Sequence, residues 1–86
     1  HIYPNPFTEK MTIEFYNDIN QEVKLEVIDI HGIVVAELYN GLLPSGNHSF
    51  KWTGINKSGV KAKAGIMFVR ILSPEKINII KVLKQN

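Results

Sequence analysis

Apolar and polar residues alternate one by one along most of this chain, and short groups of Gly, Pro, Asn and Ser separate the alternating stretches. A period of two places successive side chains on opposite faces of a β-strand, so each stretch predicts a strand with one buried face. No stretch has the i, i+3, i+4, i+7 spacing and the capping residues of a helix. The predicted strands cover residues 11–16, 23–28, 33–39, 47–53, 65–72 and 77–84.

Strands that each hide one face need a second layer to pack against. With an extended N-terminal edge, the pattern predicts an all-β fold: a small immunoglobulin-like antiparallel β-sandwich of about seven strands, in a single domain over residues 1–86. The 33–39 strand is too uniformly apolar for its register to be assigned. Turns or breaks are predicted at 29–32, 40–41 and 44–46. His48, Phe50 and Trp52 are predicted to share an inner face. Met11, Ile13 and Phe15 alternate with Thr12, Glu14 and Tyr16, and Met67, Val69 and Ile71 alternate with Ile66, Phe68 and Arg70.

Composition excludes several classes of protein. The absence of cysteine excludes disulfides and thiolate zinc sites. No apolar run approaches the roughly 18 residues of a membrane helix. The N-terminus has neither an initiator Met nor the basic and apolar regions of a signal peptide, so we expect a fragment of a longer protein.

Charge is divided unevenly between the two halves of the chain. Residues 1–50 hold seven acidic and two basic residues, whereas residues 51–86 hold one acidic and eight basic residues. A basic half can indicate nucleic-acid binding. Acidic and basic strands that lie side by side would explain the same distribution, and we favour this interpretation.

Candidate catalytic residues lack the spacing that catalysis or metal binding requires. His1, His31 and His48 fall at a terminus, a turn and a strand start, and no serine has a G-x-S-x-G context. No phosphate loop is present, and 86 residues leave little room for a cleft. We therefore expect no enzyme activity, no metal and no cofactor.

Two features at the ends of the chain are less easily explained by ordinary packing. Tyr3-Pro4-Asn5-Pro6-Phe7 cannot be a central strand because its prolines lack N–H donors, and Tyr3 and Phe7 are expected to pack it onto the sandwich. The last predicted strand carries Lys81 and Lys84 around Val82 and Leu83. A terminal strand is frequently an edge strand or the closing member of a sheet, and lysines on an edge discourage edge-to-edge pairing.

Together these residues resemble the C-terminal sorting domain (type A) of cargo proteins of the type IX secretion system of Bacteroidetes bacteria. The resemblance runs from Tyr3-Pro4-Asn5-Pro6-Phe7 to Lys81-Val82-Leu83-Lys84. In between it includes Ile13-Glu14-Phe15, Val23 to Val27, Asp29-x-x-Gly32, Gly46-x-His48, Trp52-Thr53-Gly54, Ser58-Gly59 and Ala64-Gly65. Met67 and Thr53 depart from the family pattern. The immunoglobulin-like domain of flagellar hook-capping proteins shares the Trp-x-Gly part of the pattern.

The resemblance implies a signal domain that directs a secreted cargo protein, attached N-terminally, through the outer membrane. Its implied partners are the translocon and shuttle components of the system and a sortase-like cysteine peptidase that removes the domain before Tyr3. The implied location is the periplasm in transit and then the cell surface or the medium. We predict Lys81, Val82, Leu83 and Lys84 as recognition residues; scaffold positions are Tyr3, Pro4, Asn5, Pro6, Phe7, Gly32, Trp52, Gly54 and Gly65.

Two other functions compete with this one. A passive spacer or carbohydrate-binding module of a secreted enzyme would carry exposed aromatic residues on one flat face. A nucleic-acid binder would use the basic half, but the sequence lacks an evident aromatic platform, so nucleic acid is not an expected partner. A vacant sheet edge would also allow a weak homodimer.

Overall fold

The computed structural model describes every residue from His1 to Asn86 and consists of β-strands joined by turns and loops. Seven strands form, in agreement with the prediction from the alternating pattern. They are β1 (Ile2–Tyr3), β2 (Met11–Asn17), β3 (Gln21–Ile28), β4 (Val34–Leu43), β5 (Gly46–Trp52), β6 (Gly65–Leu72) and β7 (Ile77–Lys84). The fold has no helix that could cross a membrane.

The strands form two antiparallel sheets that face each other as a sandwich. One sheet has the order β1-β2-β5 and the other has the order β4-β3-β6-β7. β2 and β5 pair over their whole lengths, from Met11 opposite Trp52 to Asn17 opposite Gly46. β3 lies between β4 and β6, so the acidic first half and the basic second half of the chain share one sheet.

The core lies between the two sheets and follows the alternation in the sequence. Cross-strand partners point to the same face of a sheet, so one buried position predicts the side of its neighbours. The inner positions of β2, β5 and β6 contribute to this core or pack against it, except His48, whose half-buried ring lies near Phe15 and Phe50. The buried cluster contains Phe7, Met11, Ile13, Val23, Leu25, Val27, Ala36, Leu43, Trp52, Met67, Val69, Ile71 and Val82.

β4 differs from its prediction in length. The predicted break at Asn40 and Gly41 is wrong, because these residues pair with Lys24 and Val23 of β3 and the strand continues to Leu43. The β3–β4 pairing also contains two register irregularities, one of them between Leu25 and Glu26. A bulge shifts the side chains that follow it relative to the partner strand, which is why the 33–39 residues show no simple alternation.

One ion pair joins the acidic and basic halves of the chain. Arg70 of β6 donates two hydrogen bonds to Oε1 of Glu26 on β3, with the shorter N···O distance at 2.7 Å. The Glu26 side chain is 5% exposed and that of Arg70 is 28% exposed, so the carboxylate depends on this partner. The interpretation that the two halves neutralise each other holds at this pair, but the lysines of the loops form no ion pair.

Candidate recognition site at the last strand

β7 is an edge strand that hydrogen-bonds to only one other strand. It pairs with β6 from Ile77 opposite Leu72 to Lys84 opposite Gly65. The predicted location of the terminal strand at a sheet edge is therefore confirmed. The outward-directed backbone groups of β7 are the natural place for a partner strand to attach.

A short N-terminal segment covers one end of this edge. Residues 5–7 run beside β7, and Phe7 forms a parallel bridge with Lys84. The Phe7 N–H donates to the Leu83 carbonyl at 3.0 Å, and the Gln85 N–H donates to the Phe7 carbonyl at 2.7 Å. The Phe7 ring is buried beside Trp52, with the ring centroids 5.8 Å apart. The segment is therefore held on β7 by both its backbone and its core side chain.

The side chain of Asn5 pairs with the backbone of β7 in the way that a neighbouring strand would. Its Nδ2 donates to the Lys81 carbonyl at 3.1 Å, and its Oδ1 accepts from the Leu83 N–H at 3.0 Å. The amide group thus supplies one donor and one acceptor to β7, as a backbone peptide group would. Pro4 and Pro6 flank it, and neither has an N–H to offer. The Pro-Asn-Pro pattern therefore suits a segment that pairs through a side chain.

The rest of the β7 edge is open. Antiparallel pairing directs the N–H and C=O of one residue to the same side, and this side alternates along the strand. Because Lys81 and Leu83 bond outward to residues 5–7, Ile77 and Ile79 also direct their backbone groups away from β6. No backbone partner contacts these groups of Ile79. A vacant length of edge therefore extends from Ile77 to the N–H of Lys81, whose carbonyl is already bonded to Asn5.

The outer sheet face beside this edge is apolar. Ile77 and Ile79 are 65% and 56% exposed, and Ile66 and Leu83 contribute further exposed apolar surface. Ile66 and Leu83 are cross-strand neighbours, so their side chains lie on the same face. A strand added at residues 77–81 could cover part of this surface with its own alternating side chains.

The four predicted recognition residues occupy two different environments. Lys81 and Leu83 are exposed on the outer face, whereas Val82 and Lys84 are only 1% and 2% exposed. The two pairs alternate along β7, so they point to opposite sides of the sheet. A receptor can contact the side chains of Lys81 and Leu83, but Val82 and Lys84 belong to the interior. The signal that would have separated them is the phase of the alternation, in which Lys84 follows Val82 by two positions.

The predicted scaffold positions also differ from one another. Tyr3 is 41% exposed and donates a hydrogen bond to Oε2 of Glu14 at 2.9 Å, so the expectation that it packs into the sandwich is wrong. This bond raises the pKa of the Tyr3 hydroxyl above its ordinary value. Trp52 is buried and donates its Nε1–H to the Ile55 carbonyl at 3.0 Å, which holds the following loop.

Two glycines have a positive φ that is required by their surroundings. Gly32 ends a turn in which the Asp29 carboxylate accepts the N–H groups of His31 and Ile33, and its φ is 80°. The bond from Ile33, followed by that from His31, lowers the pKa of Asp29. Gly54 also has a φ of 80°, and a Cβ there would approach the Cε of Lys84 to 3.1 Å. Gly65 begins β6 opposite Lys84.

The histidines and carboxylates are dispersed over the fold. No group of three residues with metal-binding side chains occurs. The ring Nε2 of His48 lies 2.7 Å from the Pro44 carbonyl, and the ring stacks near Phe50. His31 is exposed in the turn before β4.

The family model for the FlgD Ig-like domain matches residues 5–71, more than half of the chain. The chain belongs to the FlgD Ig-like domain family. The match agrees with the Trp-x-Gly pattern that the chain shares with the immunoglobulin-like domain of flagellar hook-capping proteins. The immunoglobulin-like sandwich predicted from the sequence is confirmed. The matched region ends before β7, so the family model does not account for the last strand.

Three solved structures are similar to this FlgD Ig-like domain. PorU from Porphyromonas gingivalis, in a dimeric latent form, superimposes with a TM-score of 0.78 at 22% identity, covering 98% of this chain and 9% of PorU. PorZ, an essential bacterial surface component of the type IX secretion system of Porphyromonas gingivalis, gives 0.65 at 20% identity, covering 100% of this chain and 11% of PorZ. FlgD from P. aeruginosa gives 0.55 at 21% identity, covering 87% and 59%.

These likenesses show a shared fold. The chain spans only about a tenth of the length of PorU and PorZ. Comparison with curated protein sequences gives no match.

Proposed function

We propose that this FlgD Ig-like domain is a C-terminal sorting domain that directs an attached cargo protein through the outer membrane by the type IX secretion system. The observation that carries the proposal is the open edge of β7 over residues 77–81, beside exposed apolar side chains. The fold shared with PorZ, a surface component of that system, supports the proposal. The resemblance of Tyr3-Pro4-Asn5-Pro6-Phe7 to the sorting-domain family also supports it, and Asn5 and Phe7 of this segment bond to the end of the same strand.

Docking in this proposal occurs by strand addition. A strand of a shuttle or translocon component pairs with the outward backbone groups of Ile77 and Ile79 and covers the Ile79 side chain. Lys81 supplies a positive charge that favours an acidic partner. Residues 5–7 limit the docking strand to the part of the edge that they leave open. The recognition surface is thus Ile77, Ile79, Lys81 and Leu83, while Val82 and Lys84 hold the strand in the core.

The proposal places the domain in the periplasm during transport and at the cell surface or in the medium afterwards. A sortase-like cysteine peptidase would cut before Tyr3. A cut at or before the start of this chain leaves β1 and residues 5–7 on the released domain, together with their pairing to β2 and β7. The β7 surface that a receptor contacts is therefore the same before and after the cut.

The test is export of a fluorescent reporter fused to residues 1–86, in a host with the type IX machinery. Ile79→Pro is the main variant, because proline removes an outward N–H that has no partner and is tolerated on an edge strand. Lys81→Glu tests the charge. Lys51→Glu, an exposed lysine on β5 of the other sheet, is the matched control.

We expect the reporter to remain in the periplasm with Ile79→Pro, to be exported less with Lys81→Glu, and to be exported normally with Lys51→Glu. Thermal melting of each purified variant separates a docking defect from unfolding. Export of a folded Ile79→Pro variant at the wild-type level would contradict docking at this edge.

One observation favours carbohydrate binding as a second candidate. Tyr3 and Tyr16 are 41% and 66% exposed, and both lie on the outer face of the three-stranded sheet with Glu14 between them. Exposed aromatic rings beside a carboxylate are suited to stacking on sugars. This candidate predicts glycan binding that is lost in Tyr16→Ala, and export that does not depend on the β7 edge.

A further inference from the structure

The β3–β4 turn and the β5–β6 loop meet at one end of the sandwich and enclose a groove. The Lys57 N–H donates to the Val35 carbonyl at 2.9 Å, which brings the loop against the beginning of β4. The groove has a volume of about 560 Å³, and its apolar lining includes Ile30, Val35, Val60 and Ile66. This volume is within the range of about 300–1,000 Å³ for ligand sites.

Large apolar side chains project from both segments at this end. Ile30, Ile33 and Val60 are 65%, 62% and 60% exposed. Turns usually carry small or polar residues, so three β-branched apolar side chains at two adjacent turns are not explained by the turn geometry. Ile30 and Val60 both line the groove and form with it one apolar surface that extends over both segments, and Ile33 follows at the end of the same turn as Ile30. We call this surface and the lysines around it the loop end.

The loop end is also basic. Lys57, Lys61 and Lys63 are all exposed, and none of them forms an ion pair. Asp29 is the one acidic residue that lines the groove, and its carboxylate already accepts two N–H groups of its own turn. The excess positive charge therefore remains available to an external partner.

We propose that the loop end docks on an anionic phospholipid surface. Ile30, Ile33 and Val60 enter the interfacial layer, and the three lysines face the lipid phosphates. Apolar side chains with lysines beside them are the combination that favours attachment to the surface of an anionic bilayer over attachment to a neutral one. The proposal does not depend on the proposed sorting function. The loop end lies near Gly65, which pairs with Lys84 at the far end of β7 from Ile77 and Ile79, and its partner is a different one.

The experiment is co-sedimentation of residues 1–86 with vesicles of phosphatidylcholine alone and of phosphatidylcholine mixed with phosphatidylglycerol. We expect binding to the mixed vesicles that weakens as salt is added. Changing Lys57, Lys61 and Lys63 together to Gln lowers the affinity about a hundredfold, or about fivefold for each lysine. Ile30→Ser lowers it about tenfold without changing its salt dependence.

The matched controls change residues at the other end of the sandwich. Lys24→Gln with Lys76→Gln removes two lysines, and Ile19→Ser removes an isoleucine that is 59% exposed. Both controls keep the wild-type affinity if the loop end is the contact. Equal losses in the controls and the loop variants, equal binding to the two kinds of vesicle, or no binding to either would overturn the proposal. The reporter export assay decides the sorting function separately.

Discussion

Replacing Asn5 with Ala removes the side-chain bridge between the N-terminal segment and β7. Two hydrogen bonds disappear, the 3.1 Å bond to the Lys81 carbonyl and the 3.0 Å bond from the Leu83 N–H. Each hydrogen bond contributes about 0.5–1.5 kcal/mol to the free energy of unfolding, and a buried orphan would cost more. Both bonds here are exposed, so water replaces the lost partners and the lower end of that range applies.

The expected loss is therefore about 1 kcal/mol in total, and for a domain of this size it lowers the melting temperature by about 4–8 °C. Thermal unfolding followed by circular dichroism or calorimetry measures it. Asn47→Ala is the matched control, because Asn47 is an exposed asparagine in β5 without a side-chain hydrogen bond, and its melting temperature should stay close to that of the wild type. If Asn5→Ala and Asn47→Ala melt together with the wild type, Asn5 does not hold β7 and the argument from its contacts is refuted.

Three further changes test other contacts. Gly54→Ala should lower the free energy of unfolding by about 1–3 kcal/mol, because the φ of 80° is unfavourable for alanine and the added Cβ would lie 3.1 Å from the Cε of Lys84. Gly59 has a φ of 81° with no atom within 4 Å of an added Cβ, so Gly59→Ala should lower it less when the two variants are melted in parallel. Arg70→Met should cost about 3 kcal/mol by leaving the Glu26 carboxylate unpaired, and adding Glu26→Met should restore most of that stability; a double variant no better than the single one would refute the pairing argument. The pKa of the Asp29 carboxyl, measured by NMR, should lie below the ordinary value of 3.8. The contribution of this carboxylate to the free energy of unfolding is therefore present above the unfolded pKa and is lost as the pH falls through the folded pKa. An ordinary pKa would show that its turn is not formed.

The sheet layers could be predicted because their inner faces follow a simple period. Met11, Ile13 and Phe15 alternate with polar residues, and they face the core as their pattern indicates. A half-buried strand has only one register that buries its apolar set, so local sequence determines it. Lys84 shows the limit of this reasoning, because its charge suggested exposure while its phase with Val82 determined burial.

Contacts between the ends of the chain could not be derived from local pattern. Asn5 and Leu83 are 78 residues apart, and nothing in either segment specifies the other as its partner. The apolar loop end was missed for a different reason. Ile30 and Val60 stand alone in turns, Ile33 was predicted to begin a strand, and only the folded chain brings Ile30 and Val60 together. Long-range pairing thus decides which parts of the surface are covered and which are open.

Amide hydrogen exchange along β7 tests most directly whether its edge is open where docking is proposed. The account predicts slow exchange at Val82 and Lys84, which bond to β6, and at Leu83, which is held by Asn5. It predicts fast exchange at Ile79 and Lys81, whose N–H groups point outward without a partner. Protection of Ile79 and Lys81 equal to that of Leu83 would show an occupied edge and would contradict the proposed recognition site.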